Sequence, residues 1–267
     1  MRMRSFQSCA GFALLTVTLL VAVIGVISLA MVNSYLTNTR ATNIETQRIK
    51  ANLLLDSGVR FAALSLGSPR TKVSSSAIPS KRLSYRAEGD EVQIEIANEA
   101  GFIDLIHAEK PLLTSVLVAH GAQPSEVEAL ITELKLLVGK DDAQSLPRYR
   151  ALRERLSLRS VSIPKLMTVS TLHNGQGGIH PSLAPESVLS LVPGLSHAEQ
   201  ERILKTRAEK TPRLISSPVV NQYFSTTVSA YYRVSVSVAL NGQRYSKVQI
   251  IKMINQRGTL FEVQATL

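Results

Sequence analysis

The longest apolar stretch of the chain lies close to its beginning. Residues 12–32 read FALLTVTLLVAVIGVISLAMV and include no charged side chain. A helix of this length, rising about 1.5 Å per residue, spans the roughly 30 Å hydrocarbon core of a bilayer. Arg2 and Arg4 precede the stretch and the next charge is Arg40, so the charge distribution predicts a cytoplasmic N-terminus. We therefore expect one membrane-spanning helix over residues 12–32.

The helical pattern continues beyond the membrane-spanning stretch. Apolar residues recur at helical spacing, and no proline lies between Phe12 and Gly67. The sequence Gly67-Ser68-Pro69 is a typical helix end. The pattern predicts one helix over residues 12–67, with its first half in lipid and its amphipathic second half packed on a folded domain.

Alternating apolar and polar residues predict strands in two separate regions. The first is a hairpin over residues 81–97, with a Gly-Asp turn at residues 89–90. The second covers residues 226–265 and contains the strongest hairpin signal of the chain, Asn-Gly at residues 241–242. We expect both regions to join in one antiparallel sheet on the second half of the long helix.

Between the strand regions, over residues 104–217, the apolar period becomes helical. It predicts five short helices, at residues 112–120, 124–138, 147–156, 185–191 and 196–210. The predicted fold class is α+β: a long N-terminal helix packed on an antiparallel sheet, with an inserted domain of small helices similar to SAM or helix-hairpin-helix domains. Residues 81–103 and 218–267 would form the β domain.

Composition excludes several classes of function. The formal net charge of +10 is compatible with nucleic acid, anionic lipid or acidic partners and does not select among them. The single cysteine, Cys9, excludes a disulfide framework and cysteine-based metal sites. The five histidines lack metal-ligand spacing, and the glycine-rich residues 175–178 lack the lysine of a phosphate loop. We predict that the protein is not an enzyme, and we assign no catalytic or metal-binding residue.

Three interpretations of the N-terminal stretch compete. A cleaved secretory signal needs a shorter apolar part followed by a small-residue cleavage site, which this chain lacks. The second interpretation is an ordinary membrane anchor. In the third, the short basic leader of residues 1–11, MRMRSFQSCAG, ends at Gly11 and the apolar helix starts with Phe12. This order resembles the processing site of type IV pilins and pseudopilins, which implies cleavage after Gly11 and N-methylation of Phe12 by prepilin peptidase.

Thr16 departs from the pattern of most pilin-like proteins, which carry glutamate at the fifth residue of the mature chain. A carboxylate inside a membrane is costly unless it finds a partner, such as the free amine of a neighbouring subunit. A subunit with Thr16 offers no such charge to a subunit ahead of it, as we expect of a subunit at the tip. Among pseudopilins, absence of this glutamate is typical of the K-type minor subunit of type II secretion systems.

Three further segments resemble the K-type minor pseudopilins. Residues 99–105 (EAGFIDL) are similar to the entry into the helical domain of that family, and residues 168–185 to a second such entry. Residues 188–207, which include the sequence VPGLS, are similar to the pattern that follows. The resemblance covers nearly the whole chain. It also implies calcium in the helical domain, but calcium takes about six or more oxygen ligands, and the sequence does not identify them.

The resemblance implies a minor pseudopilin at the tip of the type II secretion pseudopilus. Such a subunit is held in the bacterial inner membrane by one helix, with its globular domain in the periplasm. It initiates pseudopilus assembly for protein secretion across the outer membrane. The implied partners are the I-type and J-type minor pseudopilins, the major pseudopilin, prepilin peptidase and the secreted proteins.

Two alternatives come from other classes of protein. The segment around residues 192–196 also resembles a helix-hairpin-helix of a DNA-binding minor pilin, in a type IV pilus or competence system. The basic residues that would contact phosphates are Arg148, Arg150, Arg153, Arg155, Arg202, Lys205, Arg207, Lys210 and Arg213. However, the turn has a single glycine, and no aromatic residues for base stacking lie between the cations, so we do not expect nucleic acid as a partner. The other alternative is a plain signal-anchored periplasmic protein.

Overall fold

The computed structural model describes residues 9–67, 80–136, 152, 154, 161–207, 217–256 and 259–266. The chain divides into two compact units, of which the first ends at Leu53 and the second begins at Leu54. Of the helix predicted over residues 147–156, only Leu152 and Glu154 lie within the described residues, and both are helical.

Helix α1 covers Cys9–Gly67, in agreement with the apolar pattern. Within the described residues, its section Leu14–Gly67 is the one helix long and apolar enough to cross a membrane. Every side chain from residue 14 to residue 46 is exposed. Because so continuous an apolar surface is unusual in contact with water, residues 14–32 have the properties of a single-pass anchor.

The strands form two sheets. In chain order they are β1 (Ser80–Ala87), β2 (Asp90–Asn98), β3 (Ile103–Asp104), β4 (Ser170–Thr171), β5 (Tyr231–Leu240), β6 (Gln243–Gln256) and β7 (Thr259–Thr266). Five of them build an antiparallel sheet in the spatial order β1-β2-β5-β6-β7, while β3 and β4 pair in parallel. The two predicted strand regions therefore do join in one sheet, in which β2 and β5 are direct neighbours.

Two details of the predicted strands are wrong. The first turn lies at Glu88 and Gly89, one residue earlier than predicted, because both residues adopt the positive φ angles, 52° and 88°, of a two-residue hairpin turn. Strand β5 begins at Tyr231 instead of residue 226. Just before it, the backbone N–H and carbonyl of Ser229 bond to the side chain of Asn98 and not to a neighbouring strand.

The section of α1 after residue 53 packs on the five-stranded sheet. Gly58 allows the close approach, because a Cβ atom there would lie 2.5 Å from Cγ1 of Val236 on β5. Tyr85 of β1 lies against the same section, with its ring 5.1 Å from that of Phe61 and its hydroxyl bonded to that of Ser57. The arrangement confirms the prediction of an amphipathic second half that packs on a β domain.

Six described helices lie between or beside the strands. They are α2 (Lys110–Ala119), α3 (Pro124–Lys135), α4 (Ile163–Val169), α5 (Glu186–Leu189), α6 (His197–Thr206) and α7 (Pro218–Tyr223). The sequence predicted four of these and missed α4 and α7, which have seven and six residues. Two turns or fewer give too few positions for a helical period to show.

The helices of residues 102–223 share one hydrophobic core. Leu112, Leu117, Leu166 and Leu189 are among its fully buried side chains. Val220 and Tyr223 of α7 belong to the same core, although residue 218 is the predicted start of the second β segment. The predicted domain boundaries stay a prediction.

Candidate functional site

The predicted processing site lies in helix α1. Gly11 and Phe12 are helical, three residues or fewer from the start of the helix at Cys9. Thr16 follows on the same helix with an exposed side chain. Cleavage after Gly11, methylation of Phe12 and the role of Thr16 as a marker of the tip position stay predictions.

A buried ion pair joins the sheet to the region between β2 and β5, here called the helical insertion. The carboxylate of Glu99 accepts hydrogen bonds from Nε and Nη2 of Arg233, at 2.8 and 3.2 Å. Glu99 is completely buried, and the Arg233 side chain is 9% exposed. Because two charges removed from water are costly unless each finds a full set of partners, the remaining contacts of the guanidinium matter.

The remaining N–H donors of Arg233 bind carbonyl oxygens of the helical insertion. It donates to the carbonyl oxygens of Met167 at 2.5 Å and Ser170 at 2.8 Å, and its guanidinium lies 4.0 Å from the ring centre of Phe102. Arg233 belongs to β5. One side chain of the sheet therefore binds both segments, 99–105 and 168–185, that resemble family entries into the helical domain.

These two segments also bind each other directly. Strand β3 pairs with β4, and the N–H of His180 donates to the carbonyl of Ala100 at 2.7 Å. Gly101 permits this contact, since a Cβ atom there would lie 2.3 Å from the carbonyl oxygen of Leu183. The motif similarity marked both segments, but no periodicity in the sequence predicted that they would touch.

Asp104 is a second buried acidic residue of this junction. Its buried carboxylate accepts hydrogen bonds from the backbone N–H groups of Ile106, His107 and Gly175, at 2.8, 3.1 and 2.7 Å. It also lies 3.1 Å from Nδ1 of His107. The described residues contain no group of three or more His, Cys, Asp or Glu side chains that could hold a metal ion. In this arrangement Asp104 organises a loop, and calcium in the helical domain stays a prediction of the resemblance.

The helix-hairpin-helix segment is held together by polar contacts of its own. Ser196 and Glu199 form a reciprocal capping box at the start of α6, and these hydrogen bonds lower the pKa of Glu199. Gly194 has a φ angle of 74° in the turn before the helix, a conformation that glycine adopts without strain.

Two of the basic residues proposed for DNA contact have other partners. Arg207 donates to the carbonyl oxygens of Pro181 and Ala184, at 2.6 to 3.0 Å, and its burial lowers its pKa to about 10. Lys205 lies 3.5 Å from the carboxylate of Glu201. Burial, together with the charge of Arg207, lowers the pKa of His180 in the same region. Lys210, Arg213 and the arginines of residues 148–155 lie outside the described residues.

The long helix, the antiparallel sheet and the helical insertion define a pilin-like α+β fold. No protein-family model matches the chain, and no curated protein matches its sequence. Among solved structures, the chain is similar to a chain in the crystal structure of the GspK-GspI-GspJ complex from the type 2 secretion system of enterotoxigenic Escherichia coli. The TM-score is 0.53 at 11% sequence identity, over 85% of this chain and 98% of that chain. At this identity, the similarity establishes the fold.

Proposed function

We propose that this protein is a K-type minor pseudopilin, which occupies the tip of a type II secretion pseudopilus and initiates its assembly. The observation that carries the proposal is the helical insertion between the neighbouring strands β2 and β5. This insertion makes up about half of the chain, so an alignment that covers 85% of the chain must include much of it. Thr16 and the Gly11–Phe12 order support the proposal from the sequence.

In this proposal the subunit acts by assembling with other subunits and does not catalyse a reaction. The apolar section of α1 holds the unassembled protein in the inner membrane, where prepilin peptidase cleaves after Gly11 and methylates the new amine of Phe12. The subunit then joins I-type and J-type minor pseudopilins, and major pseudopilin subunits follow below. Thr16 leaves the tip subunit without a membrane-buried carboxylate that would need a partner ahead of it.

Intact mass spectrometry of the membrane-extracted protein tests the processing step. We expect a chain that begins at Phe12 and carries one additional methyl group. A chain that retains residues 1–11 would reduce the protein to a signal-anchored protein and would remove the basis of the argument from Thr16.

Co-purification distinguishes the proposed partners from nucleic acid. We expect the detergent-solubilised protein to retain I-type and J-type minor pseudopilins. We do not expect it to bind duplex DNA with an affinity that rises steeply as the salt concentration is lowered. Strong salt-dependent DNA binding without pseudopilin partners would instead support the DNA-binding minor pilin.

The substitution Thr16→Glu tests the tip position. At the tip, the introduced carboxylate would have no amine ahead of it, and a carboxylate without a partner in the bilayer is costly. We expect fewer pseudopili, whereas Thr16→Val should assemble normally. Unchanged pseudopilus numbers with Thr16→Glu would contradict the tip assignment.

A further inference from the structure

A short turn at residues 180–184 covers the backbone of the segment that begins at Glu99. The N–H of His180 donates to the carbonyl of Ala100 at 2.7 Å. Leu183 of the same turn lies so close to Gly101 that an added Cβ atom would be 2.3 Å from its carbonyl oxygen. Backbone here meets backbone, so a small outward movement of the turn, from here called the 180–184 turn, breaks the contact.

A cation holds the 180–184 turn in place. The guanidinium of Arg207 donates to the carbonyl of Pro181 from Nε at 3.0 Å and from Nη2 at 2.7 Å, and to the carbonyl of Ala184 at 2.6 Å. Arg207 directly follows helix α6. Carbonyl oxygens accept hydrogen bonds but carry no full negative charge, so the positive charge of Arg207 is not neutralised by the turn that it holds.

The side chain of His180 is half-buried at a place that disfavours its charged form. Among the residues that the structure describes, its buried Nδ1 has no hydrogen-bond partner. Burial lowers the pKa of His180 below its ordinary value of 6.5; the nearby charge of Arg207 lowers it further, and the backbone carbonyl of His180 itself opposes the change only in part. A proton on this ring therefore places a second positive charge beside Arg207.

The other charged and titratable groups around the junction interact among themselves. They are Glu99 with Arg233, Asp104 with His107, Glu186, whose charge acts on Arg207, and His173 and Lys252, which both lie by the ring of Tyr231. In the part of the chain that the structure describes, none of these carboxylates forms an ion pair with His180. A proton on His180 thus finds no counter-charge in the closed junction.

We infer that the 180–184 turn is an acid-sensitive latch: protonation of His180 drives the turn away from residues 100–101 and loosens the contact between segments 99–105 and 168–185. Outward movement relieves the repulsion from Arg207 and returns the charged ring to water, where a charge is far less costly than in a protein interior. The attachment of the helical insertion then depends on proton concentration. This inference goes beyond the proposed function and concerns the junction alone, so either can fail without the other.

The direction of the pH effect follows from the lowered pKa. A histidine that binds its proton less tightly in the closed junction than in the open one stabilises the closed form above its ordinary pKa of 6.5. This stabilisation is lost as pH falls from that value through the lowered one. Between about pH 7.5 and about pH 5.5 the closed form can lose up to about tenfold against the open form, the limit for one histidine that gains its proton only after opening.

Hydrogen–deuterium exchange of the full chain in detergent micelles tests the inference. The reporters are the amide of His180 and the amide of Leu105, which bonds to the carbonyl of Thr171 across the junction at 2.9 Å. After correction for the intrinsic effect of pH on exchange, the protection of both should fall by at least about threefold from about pH 7.5 to about pH 5.5. A smaller loss at either reporter would overturn the inference.

The variant His180→Gln tests the cause, because glutamine keeps a polar side chain that cannot gain a proton. We expect both reporters to show the same protection at the two pH values in this variant. The matched control is His197→Gln on α6, since His197 is exposed and lies 3.8 Å from Glu201. This control should keep the pH dependence of the unsubstituted protein. A pH dependence that persists in His180→Gln would belong to another histidine and would overturn the inference.

NMR titration of the unsubstituted protein gives a result even if His180→Gln does not fold. With labelled histidine, the ring and the backbone amide of His180 can be followed in the same sample. We expect the ring to gain its proton below pH 6.5, and the amide signal to change with the same midpoint, because the amide loses its bond to Ala100 when the turn opens. An amide signal that does not change with the ring would show that the turn stays closed, and would overturn the latch.

Discussion

Arg233 shows how a single side chain can couple two parts of a fold. Its charge is neutralised by Glu99, and its other N–H donors bind carbonyl oxygens of the helical insertion. The buried guanidinium therefore has hydrogen-bond partners for most of its donors. Partners of this kind offset the cost of removing an arginine from water. The same completeness makes the pair sensitive to the loss of either member.

Glu99→Gln should destabilise the protein strongly. The variant leaves the guanidinium of Arg233 buried without its counter-charge, which costs about 3–5 kcal/mol of unfolding free energy. Chemical unfolding of the detergent-solubilised chain measures this loss. The control is Glu128→Gln, which breaks the exposed pair with Lys110 and should cost less than about 1 kcal/mol. Similar losses in both variants would contradict the role of the buried pair.

A paired substitution separates charge from packing. Glu99→Met with Arg233→Met removes both charges and keeps apolar volume, so the double variant should be more stable than Glu99→Gln alone. A double variant that is less stable would show that the hydrogen bonds to the carbonyls of Met167 and Ser170 outweigh the ion pair.

At Gly101, the absence of a side chain allows two segments to touch. Gly101→Ala should cost about 1–3 kcal/mol of unfolding free energy, because the new methyl group meets the backbone carbonyl of Leu183, which cannot rotate away. Gly25→Ala is the control, since no atom lies within 4 Å of its added Cβ. Equal unfolding free energies for the Gly101 variant and the unsubstituted protein would mean that the junction can shift without cost.

The sequence could not predict the ion pair. Arg233 occupies a polar position in the alternating pattern of β5 and therefore resembled an ordinary solvent-facing residue. Its partner lies 134 residues earlier. Alternation shows which face of a strand is polar, but not that a domain inserted elsewhere in the chain covers that face.

Among the helices that the structure describes, α6 has the most complete N-terminal cap. The carboxylate of Glu199 accepts hydrogen bonds from the hydroxyl of Ser196 at 2.7 Å and from the backbone N–H of Ser196 at 2.9 Å. Because these bonds favour the charged carboxylate, the pKa of Glu199 is lowered. Its contribution to stability is therefore present above the ordinary pKa of glutamate and is lost as pH falls through the lowered value.

The cap of α6 should accordingly depend on pH. Ser196→Ala should lower the unfolding free energy by about 1 kcal/mol at neutral pH, and the difference from the unsubstituted protein should shrink as pH falls from the ordinary pKa of glutamate through the lowered pKa of Glu199. Unfolding by urea at neutral and acid pH measures both values. Thr206→Ala, at the other end of α6, should show no such pH dependence. A loss that stays constant down to acid pH would show that Glu199 takes no part in the cap.

Elements with a long or strongly alternating pattern were predictable, and short ones were not. The pattern predicted α1 and the hairpin at Asn241-Gly242, since many positions or a specific turn dipeptide defined each of them. Strands β3 and β4 contain two residues each, too few for any period. Their existence depends on tertiary contacts such as the hydrogen bond from Leu105 to Thr171, which a local pattern cannot contain.

At the scale of the whole molecule, the proposed function rests on the position of the helical insertion. The insertion adds bulk between two neighbouring strands without interrupting the sheet. We expect this additional bulk to favour the end of a filament over its regularly packed shaft. Bulk is thus a second argument, beside Thr16, for the proposed tip position.

Labelling of assembled pseudopili should reveal this protein only at their ends. An antibody against the helical insertion, viewed by electron microscopy, should mark one end of each filament, because the proposed subunit initiates assembly. An antibody against the major pseudopilin serves as the control and should mark the whole length. Label of the first antibody along the shaft would contradict the proposal.

The pairing of β2 with β5 also has a consequence for folding order. Asn98 pairs with Tyr232 across the sheet, so joining the two strands closes a loop of the whole insertion. For a flexible chain of that length, loop closure costs about 4 kcal/mol of entropy. If the insertion collapses first around its own core, the two strand ends are already adjacent and most of that cost is removed. The helical insertion is then the nucleus that completes the sheet, and β2–β5 pairing is a late step of folding.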